Sequence, residues 1–297
     1  MRFVLTLPSL WLLLQAKLRK QAQKKHLWTR HLNGEIKLTN NGLNLIENDI
    51  FHVHTFRCGH AENVSDEEYV KAAISIGARS IWFTDHAPFP GDPFGGRMKY
   101  KDLEEYICTL QALKKKYEDV IRIVIGLEIE YFPSFDEAGY YEQLKNDQRI
   151  EHLILGQHMA EEKPGTYTFS WTKERWEREE YKALGNAVIQ GIETGYFSEV
   201  AHPDRVFRRA PEWNEDTKAM SGMIIGTSAA RKIPIEVNIE SIKTDYGFRE
   251  EFWQMVGENS DIVFGLDAHS TEDVKSGFID VASARKTLAG IKCTREV

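Results

Sequence analysis

Three histidines lie close together near residue 50, and histidine is a common metal ligand in proteins. His52 and His54 stand in the apolar run of residues 49–54, which predicts a short buried strand. Because side chains alternate between the two faces of a strand, we expect these two imidazoles to point the same way. His60 follows in a loop that a turn can bring back over the strand end. The spacing therefore predicts a metal site at the end of this strand.

Further metal-binding residue types follow the later predicted strands. Each stands at or just past a carboxyl end: His86, Glu128, His158, His202, Asp267 and His269. His26, His31 and His152 lie elsewhere and are interpreted as structural or solvated. In β/α barrels the carboxyl ends of the strands form the face on which active sites assemble. The set exceeds what one ion can bind, so we predict two or three ions.

Predicted strands and helices alternate along the chain after a lead-in of residues 1–44. Strands are predicted at 49–54, 80–84, 121–130, 150–159, 197–201, 233–238 and 262–266, with helices over about 65–77, 101–117, 136–146, 173–190, 215–231, 248–257 and 271–289. This order predicts an α/β fold with a parallel sheet. Closure into a (β/α)7 barrel is the economical arrangement, and a doubly wound open sheet would give the same order. Without a composition break, residues 45–297 are predicted to form one domain.

Composition narrows the possible partners and compartment. The formal net charge of −7 argues against binding to nucleic acid, which usually requires a basic face. Cys58, Cys108 and Cys293 have unrelated spacings and form no disulfide framework, which favours the reducing cytoplasm. Cys58 lies between two of the histidines and is interpreted as a small loop residue near the site, with a ligand role as the alternative.

Residues 3–14, FVLTLPSLWLLL, form the one membrane-like stretch of the sequence. Such a run is too short to span a bilayer, Pro8 interrupts it, and basic residues follow it. We predict a poorly ordered N-terminal extension over residues 1–44 and no stable membrane insertion. A secretory or anchoring role is the alternative interpretation.

The motifs HVHT with a following GH, then TDH, GLE, GQH, AHPD and GLDAH, resemble those of the polymerase and histidinol phosphatase (PHP) superfamily of metal-dependent phosphoesterases. The resemblance covers roughly residues 49–275. The runs GHAENVSDEEYVKAAISIGARSIWFTDHAPFP and GLEIEYFPSF are most similar to the stand-alone histidinol-phosphatase branch. This resemblance implies a distorted seven-stranded β/α barrel, in agreement with the strands predicted above.

Carried over residue by residue, the resemblance implies a trinuclear centre of divalent zinc, iron or manganese ions. The first ion would be held by His52, His54 and Asp267; the second, bridged to it by Glu128, by His158 and His202; and the third by His60, His86 and His269. All nine family positions carry a residue of the expected type. The chain is therefore expected to be an active enzyme.

Such a centre predicts hydrolysis of a phosphate monoester by metal-activated hydroxide. Adjacent divalent ions acidify a shared water and neutralise charge on the phosphate. Among the ligands, Glu128 and Asp267 are expected to be the most sensitive to substitution. Arg205, in the loop after the fifth strand, is predicted to bind phosphate through its planar fork, with Arg97 and Lys99 as second choices.

Other polar residues are expected to support the site. Asp85 is placed to orient His86 or another ligand. Glu236 and Asn238 end the sixth strand and are candidates for a polar wall facing a substrate amine, with Asn238 the one expected to face inward. Ser270 is predicted to cap the following helix.

Three classes of function follow from these predictions. The first is a small-molecule phosphomonoesterase, for which L-histidinol phosphate is the leading substrate and a nucleotide or sugar phosphate the alternative. The second is a phosphodiesterase or nuclease, because the superfamily includes exonuclease domains of polymerases; the acidic net charge argues against it. The third is a non-catalytic module with a structural metal cluster, which the predicted open strand-end face argues against.

Overall fold

The computed structural model describes residues 48–257 and 259–293. The predicted extension over residues 1–44, its apolar run, and His26 and His31 lie outside the described residues, as does the side chain of Cys293. Within the described part of the chain, no helix is long and apolar enough to cross a membrane.

In the part of the chain that the structure describes, nine strands form one large sheet and one small one. In chain order they are β1 Asp49–Val53, β2 Ser80–Phe83, β3 Arg122–Ile129, β4 His152–Leu155, β5 Glu161–Lys163, β6 Thr166–Tyr167, β7 Glu199–Val200, β8 Ile235–Asn238 and β9 Ile262–Gly265. The seven-stranded sheet has the order β1-β2-β3-β4-β7-β8-β9, and all its pairs are parallel. The remaining two strands form an antiparallel hairpin, where the sequence predicts only a loop.

The seven-stranded sheet curls round so that its first and last strands meet. Phe51 O accepts a hydrogen bond from Leu266 N at 2.9 Å, and His52 O accepts one from Ala268 N at 3.0 Å. His54 N returns a bond of 2.9 Å to Ala268 O. These bonds distinguish a barrel from a doubly wound open sheet and confirm the predicted (β/α)7 arrangement.

Nine helices occur within the described residues, most of them on the outside of the barrel. They are α1 Asp66–Ser75, α2 Leu103–Lys116, α3 Pro133–Glu137, α4 Tyr140–Asn146, α5 Lys173–Thr194, α6 Glu215–Arg231, α7 Ile239–Thr244, α8 Glu250–Met255 and α9 Thr271–Cys293. The sequence does not predict α7, which begins directly after β8. Its amino end is capped by Asn238, whose side-chain oxygen accepts a hydrogen bond from Ser241 N at 2.8 Å.

Two apolar clusters lie on the two sides of the sheet. The smaller one fills the barrel and takes one residue from nearly every strand or strand end: Phe51, Trp82, Val124, Ile154, Ala201 and Val263. The larger cluster packs the outer face of the strands against the helices. Since a β/α barrel is filled in this way, its interior is a packed core and the open surface lies at the strand ends.

Candidate metal centre

The strand ends bring together all nine predicted ligands. His52 lies in β1 and Glu128 in β3, while the other members follow the ends of β1, β2, β4, β7 and β9. Each makes a contact with at least one other member, as the distances below show. The structure therefore brings these nine side chains together at one face of the barrel.

Three of the predicted ligand positions depart from regular backbone geometry. His52, His202 and Asp267 have φ angles of 66°, 33° and 53°, in the left-handed region that residues other than glycine rarely adopt. In β1 the pairing register shifts between Ile50 and Val53, so His52 does not follow the regular alternation assumed from the sequence. Its ring nevertheless lies beside that of His54, with centroids 5.0 Å apart. Strained backbone of this kind clusters at functional sites.

Glu128 lies at the centre of the cluster and is buried. One carboxylate oxygen lies 2.7 Å from His202 Nε2, and the other lies 2.7 Å from His86 Nδ1. The Nε2 atoms of His54 and His158 are 3.6 and 3.7 Å from this carboxylate. Although burial opposes ionisation, His158 and His86 keep the pKa of Glu128 well below its usual range. The residue is therefore a charged acceptor that faces several imidazoles at once.

Asp267 forms the second carboxylate of the centre. Its Oδ1 lies 3.1 Å from His54 Nε2 and 3.7 Å from both His52 Nε2 and His269 Nδ1. The donor atoms of His52, His54 and Asp267 all lie within 4.8 Å of one another, as an ion shared by three ligands requires. The same holds for His86, Glu128 and His158.

His60 and His269 lie at the outer edge of the cluster. Their Nε2 atoms are 3.0 Å apart, and the two rings stack with centroids separated by 4.7 Å. The Sγ atom of Cys58 lies within 4.8 Å of ligand atoms of both. Burial raises the pKa of this thiol to about 11. The side chain is fully buried, as expected of a small packing residue next to the site.

Unpaired nitrogens inside the cluster test whether a metal fits. His52 Nε2 and both ring nitrogens of His54 are buried without a hydrogen-bond partner among the described residues. Buried polar atoms are normally satisfied, and an imidazole nitrogen facing other imidazoles and carboxylates is the usual arrangement of a divalent transition-metal site. The donor set therefore fits divalent ions such as zinc, iron or manganese.

Buried carboxylates behind the cluster orient its imidazoles. Glu236 accepts a hydrogen bond of 2.7 Å from His52 Nδ1, which turns Nε2 of that ring towards Asp267. Glu130 lies 3.1 Å from His158 Nδ1. Carboxylates that hold the far nitrogen of a metal-binding histidine fix its orientation and raise its basicity. The sequence offers a signal for Glu130, which follows Glu128 by two positions on one strand, but none for the pairing of Glu236 with His52.

The remaining polar predictions have mixed outcomes. Asp85 contacts Thr55, accepting hydrogen bonds from its amide at 2.8 Å and from its hydroxyl, and its Oδ1 lies 4.0 Å from His54 Nδ1. It thus supports the loop after β1. Asn238 does not form a free wall, because its amide caps α7 and contacts Glu236 at 2.8 Å. Ser270 Oγ accepts a hydrogen bond from Asp273 N at the start of α9, as the capping prediction requires.

A cavity of about 700 Å³ opens over the cluster. Its lining includes His60, His86, His158, Asp267 and His269, together with three arginines, Arg97, Arg205 and Arg208. An arginine-lined cavity next to a metal-binding cluster suits a phosphate ester. Arg208 is the member that the sequence analysis missed, and it stands six residues after His202.

Arg97 and Arg205 differ in how far their charge is already compensated. Arg97 forms a buried two-point ion pair with Glu130, with nitrogen–oxygen distances of 2.6 and 2.8 Å. Arg205 lies 3.7 Å from Asp267 Oδ2, a loose contact, and its guanidinium stands over the ring of Tyr246 at 5.6 Å. Arg205 therefore keeps more of its binding capacity for a ligand than Arg97 does.

Comparison with known proteins agrees with this architecture. A family model described as PHP domain matches residues 51–240. The histidinol-phosphatase of Bacillus subtilis is 23% identical over 252 residues, covering 75% of this chain and 94% of that protein. A probable histidinol-phosphatase of Deinococcus radiodurans is 36% identical over 89 residues, which cover 29% of this chain and 33% of that protein.

Two solved structures share the fold. One is a Listeria monocytogenes protein assigned as a histidinol phosphatase, with a TM-score of 0.61, 18% identity, and coverage of 78% of this chain and 98% of that one. The other is the histidinol phosphate phosphatase of Lactococcus lactis, complexed with zinc, L-histidinol and phosphate. Its TM-score is 0.59 with 21% identity, and the match covers 80% of this chain and 94% of that one.

Proposed function

Because the chain belongs to the PHP domain family, we propose that it is a metal-dependent phosphomonoesterase that hydrolyses L-histidinol phosphate to L-histidinol and phosphate. The observation that carries this proposal is the contact of nine imidazole and carboxylate groups beneath an arginine-lined cavity. The Bacillus histidinol-phosphatase matches over nearly its whole length, which supports the substrate.

The metal part of the proposal is a trinuclear centre. His52, His54 and Asp267 would hold one ion, Glu128 would contribute to this ion and to a second, and the other five histidines would complete the set: His60, His86, His158, His202 and His269. Divalent ions bound there supply an activated water and positive charge next to the phosphate. Zinc, iron and manganese all suit this donor set.

The chain's own residues bind and orient the ester. Arg205 and Arg208 line the cavity, and their planar guanidinium groups match the oxygens of a phosphate. Arg97, already paired with Glu130, keeps that carboxylate in place against His158. The packed barrel core below the cluster closes the site from beneath, so the ester enters from the cavity side.

A substrate panel on metal-analysed protein tests the proposal. L-histidinol phosphate is compared with sugar, nucleotide and amino-acid phosphates and with a phosphodiester. We expect the highest kcat/KM for histidinol phosphate, about three divalent ions per chain, and loss of activity on chelation that zinc or manganese reverses. Metal-loaded protein that hydrolyses none of the monoesters would refute the proposed activity, and a clear preference for the phosphodiester would place the chain among the nucleases.

A further inference from the structure

The cavity over the metal centre has acidic as well as basic lining residues. The arginines come from the loops after β2 and β7. Glu240, in the first turn of α7, and Asp273, in the first turn of α9, follow the neighbouring strands β8 and β9. A cavity that bound phosphate alone would gain nothing from carboxylates in its wall, since like charges repel. The acidic side of the cavity therefore calls for a second, cationic feature of the ligand.

The two acidic residues differ in their existing partners. Asp273 is engaged by Ser270 Oγ at 2.7 Å, by Lys243 Nζ at 3.2 Å and by His269 N at 3.2 Å. The carboxylate of Glu240 makes no ion pair or hydrogen bond with any residue that the structure describes. Burial raises the pKa of Glu240 and the neighbouring carboxylate of Asp273 adds to the effect, while Lys243 acts in the opposite direction. A cation bound beside Glu240 would offset the repulsion between the two carboxylates.

The backbone of Glu240 is held at a set position relative to the metal centre. Asn238 accepts a hydrogen bond from Ser241 N and donates through Nδ2 to Asp267 Oδ2, at 2.8 and 3.2 Å. One side chain thus links the first turn of α7 to a proposed metal ligand. At the other end of the turn, Thr244 Oγ1 donates to Glu240 O at 2.7 Å. A carboxylate anchored in this way can select a ligand by the distance between the two charged groups of that ligand.

We propose that Glu240 binds the ammonium group of the substrate and is the residue that selects phosphorylated amino alcohols over other phosphate esters. The inference rests on the proposed function, in which histidinol phosphate carries a phosphate at one end and an amine next to it. The phosphate lies against the arginines and the metal centre, and the amine against Glu240.

The experiment compares two substrates in native protein and in Glu240→Gln. The first substrate is L-histidinol phosphate, and the second is 3-(imidazol-4-yl)propyl phosphate, which lacks only the amino group. Loss of a charge-assisted contact is expected to lower kcat/KM for histidinol phosphate about 10- to 100-fold, mainly through KM. The substitution should leave kcat/KM for the analogue unchanged. Glu240→Asp should recover part of the loss.

A matched control and an inhibition measurement complete the test. Glu272→Gln makes the same change in the first turn of α9 at a well-exposed side chain. It should leave kcat/KM unchanged for both substrates. The inhibition constant of L-histidinol should rise in Glu240→Gln, while that of the desamino alcohol should not. Equal losses for both substrates, or no loss for either, would overturn the role of Glu240 while leaving the phosphatase intact. Native protein inactive on histidinol phosphate would instead overturn the proposed function itself.

Discussion

Glu128 is the residue on which the proposed centre depends most. Its carboxylate lies within 4 Å of five imidazoles, those of His52, His54, His86, His158 and His202. A buried carboxylate with so many partners is costly to remove, because all five imidazoles would lose a shared acceptor at once. Glu128, a single strand residue, thus contacts imidazoles that come from four strand ends.

Arg205→Ala is expected to weaken phosphate binding. The guanidinium lines the cavity and is held only loosely by Asp267, so its loss removes a charge-assisted contact with the ester. We expect kcat/KM for the phosphate ester to fall about 10- to 100-fold. Arg209→Ala is the matched control, since that neighbour pairs with Glu180 and stacks on Trp176 instead. Steady-state kinetics and Tm on both variants check the prediction, and equal kinetics in the two would contradict it.

Glu236→Gln is expected to weaken metal binding. The glutamine retains an acceptor for His52 Nδ1 but lacks the charge that raises the basicity of the ring. Substitutions of this kind typically weaken metal affinity about 10- to 100-fold. Metal content is measured after dialysis against graded chelator, with Glu151→Gln on the surface as the control. If Glu236→Gln retained metal as tightly as that control, the positioning role would be wrong.

Two glycines at or directly after strand ends make room for buried carboxylates of the site. Gly156, directly after β4, packs so closely on Glu128 that a Cβ atom at this position would overlap the glutamate carboxylate. Gly265, at the end of β9, stands in the same relation to Glu236. These glycines are required for close approach, not for an unusual φ angle, and each makes room for one carboxylate of the centre.

Gly156→Ala is therefore expected to displace Glu128 and disrupt the centre. We expect a fall in kcat of at least about 100-fold, together with a loss of about 1–3 kcal/mol in the free energy of unfolding from overpacking. Gly226→Ala, in the middle of α6, has no atom within 4 Å of the added carbon and should be neutral or slightly stabilising. Activity, metal content and urea unfolding of both variants check this. Normal metal content in Gly156→Ala would show that Glu128 tolerates the added methyl group.

At the scale of the whole molecule, the barrel interior makes stability depend on pH. His152, in β4, is buried against Phe51 and Trp82 and shares a hydrogen bond of 2.7 Å between its Nδ1 and Ser198 Oγ. Burial, with a smaller effect from His52, lowers its pKa from 6.5 to about 3. Between these values the unfolded chain takes up a proton that the folded chain does not. The contribution of His152 to the free energy of unfolding is therefore fully present above pH 6.5 and is lost as the pH falls towards 3.

His152→Gln isolates this contribution. The free energy of unfolding of the native protein, relative to the variant, should fall by up to about 1.4 kcal/mol per pH unit between pH 6 and pH 4. Urea unfolding of both metal-free proteins across this range measures the difference. A difference that stays constant with pH would show that His152 is solvated or protonated in the folded state.

Residue types and their order along the chain determined the fold class and the membership of the candidate centre. Strand and helix periodicity is local, so seven β/α units are visible in the sequence, and motif order assigns nine ligand positions to the strand ends. Glu128 and Glu130 lie two positions apart on one predicted strand, so their placement on the same face can also be predicted from the local sequence. The predicted grouping of these ligands around three ions rests on the family resemblance and remains a proposal.

Only the tertiary structure decided which distant residues meet and how each side chain is used. Glu236 and His52 are 184 positions apart in the sequence and form a hydrogen bond that no local pattern predicts. His52 adopts its left-handed conformation where β1 closes against the segment after β9, and this closure excludes the open sheet that the element order allows. Asn238 caps α7, and Glu240 lines the cavity, because α7 begins directly after β8. Long-range packing and backbone strain are set by the whole chain at once, so the sequence patterns alone could not reveal them.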